Sequence, residues 1–390
     1  MKKKLLLTLL AALLLLPVWL WLAWWLQPRR KLTVAIIDKT VTGPNPQGHL
    51  SLDWVLNHKR FAKTATRGYG PGADYFGFFP GGDHHYRLKG LERFRPDDIE
   101  RLATDADLAY FADTYGIYSA EWYGSLPPGS RSTLLYGGMS EQDIALLRAI
   151  KARHKTAIAE FNSIGSPTPE PIRKAFESLY GLRWSGWTAR YFPVLDTAQN
   201  PDLPHWLVDN YRAANSGAWP FHRDGMAWVN NEGRVVVLEA GTTLRTAIPF
   251  IKTTPAARGL GLPDSIGYPF WFDVLEQETV TGPNETLAVF DIDANPDGAK
   301  LLSASGIPAR CPAILRHLGA DYGFYYFSGD FCDNPIGFTT SYFKGAAFFE
   351  DIFRGKVSAG DRTPFFWDFY RPLLAGILES EYQRTRVPRR

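Results

Sequence analysis

The hydrophobic pattern opens with an uncharged apolar run, Leu5 to Leu26, bracketed by Lys2, Lys3 and Lys4 before it and Arg29, Arg30 and Lys31 after it. A bilayer core about 30 Å thick takes roughly 20 helical residues, so this run predicts one transmembrane helix. Trp19, Trp21, Trp24 and Trp25 crowd its distal end, where an interfacial belt would place them. A cleaved leader is the competing reading, but it needs small residues at the cut, and the stretch Leu22 to Leu26 is bulky. The expectation is a signal-anchored, single-pass protein of the inner (cytoplasmic) membrane. A short basic tail ahead of a long apolar run stays inside, which puts the large C-terminal part outside the cytoplasm.

Beyond Leu32 short apolar runs alternate with segments of helical period, the pattern of an α/β protein with a parallel sheet flanked by helices. Strands are predicted at Thr33 to Ile37, Asp74 to Phe79, Leu108 to Ala112, Leu134 to Tyr136 and Thr156 to Phe161. Helices are predicted from Ser51 to His58, after Pro96, after the capping pair Ser140 and Asp143, and from Thr168 and Pro169 to a stop at Gly181. After Tyr191 turn residues replace long helices, and Arg234 to Leu238, Leu287 to Ile292 and Phe324 to Phe327 predict a strand-rich C-terminal half. Two helices are expected there, Asn295 to Ser303 and Tyr370 to Leu378. The predicted organisation is an anchor over 1–31, an α/β core over 32–192, an insertion over 193–253, a strand-rich completion over 254–340 and a C-terminal segment over 341–390.

Composition adds less. A net charge of +3 over 390 residues gives no basic domain, so no nucleic-acid partner is expected. The two cysteines, Cys311 and Cys332, either pair or remain as buried thiols, and neither has metal-ligand spacing. Aromatic residues make up 14% of the chain, which suits either a core or platforms for sugar stacking.

Several local patterns together resemble a class I glutamine amidotransferase-like domain, a flavodoxin-related architecture also found in the trimerisation domains of some β-galactosidases. They are the strand into Gly137-Gly138 and a capped helix, the strand Ile158 to Asn162 ahead of Pro167-Thr168, the segment Thr254 to Leu260, and a closing hairpin over Pro312 to Asp330. The resemblance implies a cysteine nucleophile at the elbow after the Ile158 strand. Glu160, Phe161 and Asn162 stand there instead, so glutaminase chemistry is not expected.

Ligands of open α/β sheets gather beyond the carboxyl ends of the strands. Those ends carry Asp113 and Glu160, with Glu121 in the following loop, and these three carboxyls are the candidate catalytic residues. Asp38, Tyr115, Tyr118, Trp122, Asn162 and the later Asp330 are the candidate ligand-binding residues. Asp83, His84 and His85 form no chelating pattern, because adjacent side chains on an extended segment diverge. No metal and no cofactor is expected. The function expected is binding or processing of an envelope polysaccharide by a membrane-anchored domain without glutaminase chemistry. The alternative is a noncatalytic scaffold subunit docking proteins of a membrane complex.

Overall fold

A computed structural model describes residues 4, 12, 14–124, 132–276 and 284–386. Eighteen strands run in chain order: β1 Arg30–Lys31, β2 Val34–Asp38, β3 Phe61–Ala62, β4 Phe76–Pro80, β5 Tyr86–Lys89, β6 Leu108–Asp113, β7 Ile117–Tyr118, β8 Leu134–Tyr136 and β9 Thr156–Glu160, then β10 Trp184–Phe192, β11 Gly225–Asn230, β12 Val235–Glu239, β13 Phe250–Thr253, β14 Ser265–Gly267, β15 Trp271–Leu275, β16 Glu285–Asp291, β17 Arg310–Leu318 and β18 Gly323–Phe327.

Ten of them form the main sheet, in the order β14-β13-β16-β17-β18-β9-β6-β2-β4-β5. Its centre is parallel from β18 through β9, β6 and β2 to β4. Antiparallel strands extend it on both sides, so the sheet is mixed rather than the parallel sheet expected. The parallel strands taken in chain order give 2-1-3-4-5, the flavodoxin-like order. They run as continuous apolar stretches because both faces are covered, and every residue of β2, β6, β9 and β18 is buried.

One face packs on the Gln47–His58 helix and on the C-terminal helix, which turns through a π segment at Phe366–Tyr370 before Arg371–Arg386. Pro372 does not occupy the free first turn expected of it: the helical run is continuous from Thr363, and the proline follows the π segment inside it. The other face is covered by the helices Pro96–Asp105, Glu141–Ala152 and Glu170–Tyr180. Ser140 and Asp143 cap the second of these reciprocally, and Gly181 ends the third in the left-handed conformation. Thr168 does not cap that third helix. Its hydroxyl donates to the Ser163 carbonyl and accepts from the Met139 N–H, tying two loops together.

The predicted strand Leu134–Tyr136 exists as β8 but pairs only with β7, outside the main sheet. The strand-rich half is divided: β13, β14, β16, β17 and β18 extend the main sheet, while β11, β12 and β15 join β10 in a second layer, the four-stranded antiparallel sheet β12-β11-β10-β15. Its inner face joins the main core through Trp187, Ala189, Tyr191 and Trp228, and its outer face is covered by the His205–Ala214 helix.

The N-terminal expectation is corrected. Among the described residues no helix is long and apolar enough to cross a membrane. The helix found there, Leu16–Trp25, has 10 residues, a rise of about 15 Å against a bilayer core of about 30 Å. Positions 1–3, 5–11 and 13 of the predicted span lie outside the described residues. Of the four tryptophans expected to form a belt, Trp19, Trp21 and Trp25 are exposed, but Trp24 is buried against the α/β body. Its indole donates to the Asn57 carbonyl at 3.0 Å, its ring meets Tyr342 edge-on at 4.9 Å, and the Arg60 guanidinium covers it at 4.2 Å. The transmembrane helix, the signal anchor and the inner-membrane placement that followed from them are therefore withdrawn.

Candidate functional site

In the 2-1-3-4-5 order the connections leave β2 in one direction and β6 in the other, and a crevice opens between their carboxyl ends. Asp38 ends β2 and Asp113 ends β6, and the two are paired in register. The Lys39 N–H donates to the Asp113 carbonyl at 2.8 Å, fixing the two ends together.

Each carboxyl is already engaged. Asp38 accepts the Thr40 N–H at 2.9 Å and the His49 Nδ1–H at 2.6 Å. The other ring nitrogen of His49 faces the Pro71 carbonyl at 2.9 Å and Asp53 at 3.5 Å. An acceptor on each side of the ring favours its doubly protonated form. Burial disfavours that charge, yet the hydrogen bond and charge of Asp38, with Asp53 and Pro71, hold the imidazole above its ordinary value. Burial pushes Asp53 up to about 7 against the attraction of His49. Asp113 accepts the Tyr115 N–H at 2.6 Å and lies 3.4 Å from the Asn162 amide nitrogen. Burial, then the neighbouring Asp38, pushes it up to about 7.

Glu160 ends β9 but its side chain enters the core and has no exposed surface. It accepts from the Tyr110 hydroxyl and, at 2.8 Å, from the Cys332 N–H. Tyr110 and Tyr370 hydroxyls are 2.8 Å apart, and Tyr370 donates to Cys332 Sγ at 3.2 Å, which closes the cluster. Burial pushes Glu160 up to about 8. Both cysteines are free and buried.

Two residues past β9, Asn162 holds φ +66°, the left-handed conformation that a sharp elbow imposes and that a non-glycine residue adopts at a cost. The sequence resemblance places the expected cysteine among Glu160, Phe161 and Asn162, and Asn162 is the one that makes the turn. Here the elbow carries an amide, which cannot form an acyl intermediate.

Glu121 is exposed on the short helix Ser119–Tyr123, away from the buried carboxyls. Tyr115 stands 38% exposed with its ring centroid 5.0 Å from that of half-buried Tyr118, and Tyr123 is 47% exposed. Trp122 instead turns inward, edge-on to Phe78 at 4.9 Å, and its indole donates to the His84 carbonyl. His84 in turn contacts the Trp122 carbonyl at 2.9 Å, so the Asp83-His84-His85 turn braces this loop. Among the described residues no group of His, Cys, Asp or Glu could hold a metal ion. Behind the tyrosines Gly116 and Gly137 pack backbone to backbone. A Cβ on Gly116, at φ +94°, would lie 2.1 Å from the Tyr136 carbonyl oxygen.

Asp330 follows β18 and is buried, its N–H donating to the Trp271 carbonyl at 3.2 Å. Burial, then Asp333 and Asp113, hold its carboxyl well above the ordinary range. The site therefore has two parts: buried carboxyls under the strand ends, and an exposed strip of tyrosines with Glu121 above them.

Sequence reasoning missed Lys39 and His49. Lys39 is buried, and its ammonium binds Asp143 at 2.6 Å, the Gly138 carbonyl at 2.9 Å and Glu92. Two of its partners, Glu92 and Gly138, line a cleft of about 630 Å³ together with Tyr136, Ser140 and Pro167. A lysine immediately after a strand-ending aspartate was the available signal. For His49 the signal was its i, i+4 spacing to Asp53.

No family model matches the chain, and no curated protein matches it. Among solved structures it is similar to a β-galactosidase from Bacillus circulans, at TM-score 0.33 and 11% identity over 79% of this chain, and it spans 30% of that enzyme's length. It is similar to a ThuA-like protein from Bacteroides uniformis at TM-score 0.35 and 9% identity, over 81% of this chain and 89% of the other. A protein from Salmonella typhimurium gives 0.35 and 9%, over 90% of this chain and 98% of the other. The β-galactosidase domains and ThuA-like proteins have the class I glutamine amidotransferase-like fold, and all these likenesses are distant.

Proposed function

We propose that the chain is an amidotransferase-like domain without glutaminase chemistry that binds a polysaccharide at the strand-end tyrosines and does not cleave it. One contrast carries the reading: Asp113 and Glu160 are buried, with their oxygens engaged by protein donors, whereas Tyr115, Tyr118, Tyr123 and Glu121 face outward above the same strand ends. Glycoside hydrolysis needs two carboxyls that both reach the sugar. Stacking on a sugar face needs only accessible rings, with a carboxylate such as Glu121 to accept hydroxyl protons.

The test is a glycan array with the full chain, followed by calorimetry on the polysaccharides retained. Tyr115→Ala with Tyr118→Ala is expected to weaken binding at least about tenfold, a change of about 1.4 kcal/mol. Glycan hydrolysis that disappears in Glu160→Gln would overturn the proposal, as would binding indifferent to both tyrosines.

A second reading, a noncatalytic scaffold for a protein partner, is favoured by a different surface. Phe348, Ile352 and Phe353 on the Ala346–Phe353 helix are 63%, 56% and 77% exposed, and so contiguous an apolar face marks an interaction site. Phe353→Asp would then abolish partner capture and leave glycan binding intact.

A further inference from the structure

Arg190 lies on β10, where the second sheet meets the rim of the first. Its Nε is buried and has no hydrogen-bond partner. Among the described residues no carboxylate oxygen comes within 4.0 Å of its guanidinium, although Asp202, Asp330 and Asp333 are near enough to act on it through their charge. Its immediate neighbours are rings: the guanidinium carbon is 4.8 Å from the Phe192 centroid, 5.1 Å from Phe270 and 5.5 Å from Trp271. Burial, the main influence, draws its pKa down only to about 10, so it remains a cation at neutral pH.

A second guanidinium flanks the first. Arg362 stacks on the same Phe270 ring at 3.6 Å from the centroid. Unlike Arg190 it is satisfied, lying 3.3 Å from the Asp333 carboxylate and donating to the Asp333 carbonyl. Of the other two acids, Asp202 acts on Arg190 through its charge without an ion pair, and Asp330 is kept toward its neutral form by burial and by Asp333. The result is a half-buried guanidinium whose Nε is desolvated and unpartnered and which makes no direct ion pair, an arrangement native proteins avoid unless a ligand supplies the partner.

We propose that Arg190, with Arg362 beside it across the Phe270 ring, binds the carboxylate of a ring-shaped organic acid. The guanidinium is a planar fork whose paired N–H groups match the two oxygens of a carboxylate. Phe192, Phe270 and Trp271 supply the apolar walls against which the ring carrying that carboxylate lies. None of these residues belongs to the tyrosine strip, and the proposal stands whether or not the chain binds a polysaccharide there.

Calorimetric titration of the full chain with D-glucuronate, benzoate and inorganic phosphate tests this. At least one of the two carboxylates is expected to bind, and Arg190→Gln to weaken it about tenfold or more. The melting temperature of unliganded Arg190→Gln is expected to equal or exceed that of the parent, since an unpaired buried charge has been removed. Arg190→Lys keeps the charge and loses the fork, and is expected to fold normally and bind severalfold more weakly. Four results would overturn the proposal: no binding of either carboxylate, tighter binding of phosphate than of both, unchanged affinity in Arg190→Gln, or a lowered melting temperature in Arg190→Gln and Arg190→Lys alike, which marks a structural arginine.

Discussion

Glu160→Gln should make the protein less sensitive to alkaline pH, and the structure gives the size of the effect. In the native state burial raises Glu160 from the ordinary glutamate value of 4.5 to about 8. Between those values the native state binds a proton that the unfolded chain has lost, so unfolding becomes easier as pH rises. The stability associated with this group is full below about pH 4.5, falls through the interval and is constant again above about pH 8. At 1.36 kcal/mol per pH step of one, the loss across the interval is on the order of 5 kcal/mol.

Glutamine fills the same space and cannot ionise. Its oxygen still accepts the Cys332 N–H, and Tyr110 can turn its proton to Tyr370, 2.8 Å away. The variant should therefore match the parent near pH 5 and exceed it at pH 9 by roughly 4 kcal/mol. With an unfolding entropy of about 2.1 cal/mol/K per residue, that corresponds to roughly 5 °C in melting temperature. Asp53 and Asp273, each pushed up to about 7 by burial, steepen the curve of both proteins and cancel in the difference. Thermal melts at pH 5, 7 and 9 provide the check. Parallel curves for parent and variant would refute the reasoning, because Glu160 would then have to be ionised in the native core throughout.

Lys39→Met should cost about 3–5 kcal/mol in a denaturant titration, since it strands the fully buried Asp143 without its cation, and adding Asp143→Asn should recover part of that loss. Gly116→Ala should destabilise by about 3 kcal/mol or more, combining a positive φ with a Cβ driven into the Tyr136 carbonyl, which thermal melting would show. Cys311 and Cys332 are buried and free, and burial holds both thiols above their ordinary value. Neither should react with a thiol reagent in the native protein, and both should react after unfolding; prompt native labelling would place them at the surface.

Much of the fold was legible because its signals are local. The buried strands read as apolar runs with both faces covered, and the Ser140–Asp143 cap and the Gly181 stop were written in residues adjacent to the turns they make. The closing hairpin formed as predicted, with β17 antiparallel to β18 and β18 parallel to β9. Pairing was not legible. Leu134–Tyr136 has the composition of a sheet strand, but which strand it joins depends on loop paths that local pattern does not encode. At Trp24 the apolar N-terminal run misled for a related reason: hydropathy measures preference for leaving water and does not say whether lipid or protein receives the side chain. For Trp24 the receiving surface is Tyr342, Arg60 and the Asn57 carbonyl.

By itself the sequence determined an α/β layer whose strands end in carboxyls, and it showed that Glu160, Phe161 and Asn162, none of them a cysteine, occupy the elbow where the resemblance expects one. Those are properties of residue type and order along the chain. Only the tertiary structure decided that Glu160 turns into the core while Glu121 faces water, and that Arg190 is left without a carboxylate. Burial is set by what packs from elsewhere: Tyr370 and Cys332 seal Glu160 from more than 170 positions away in the chain, and no local pattern carries that information.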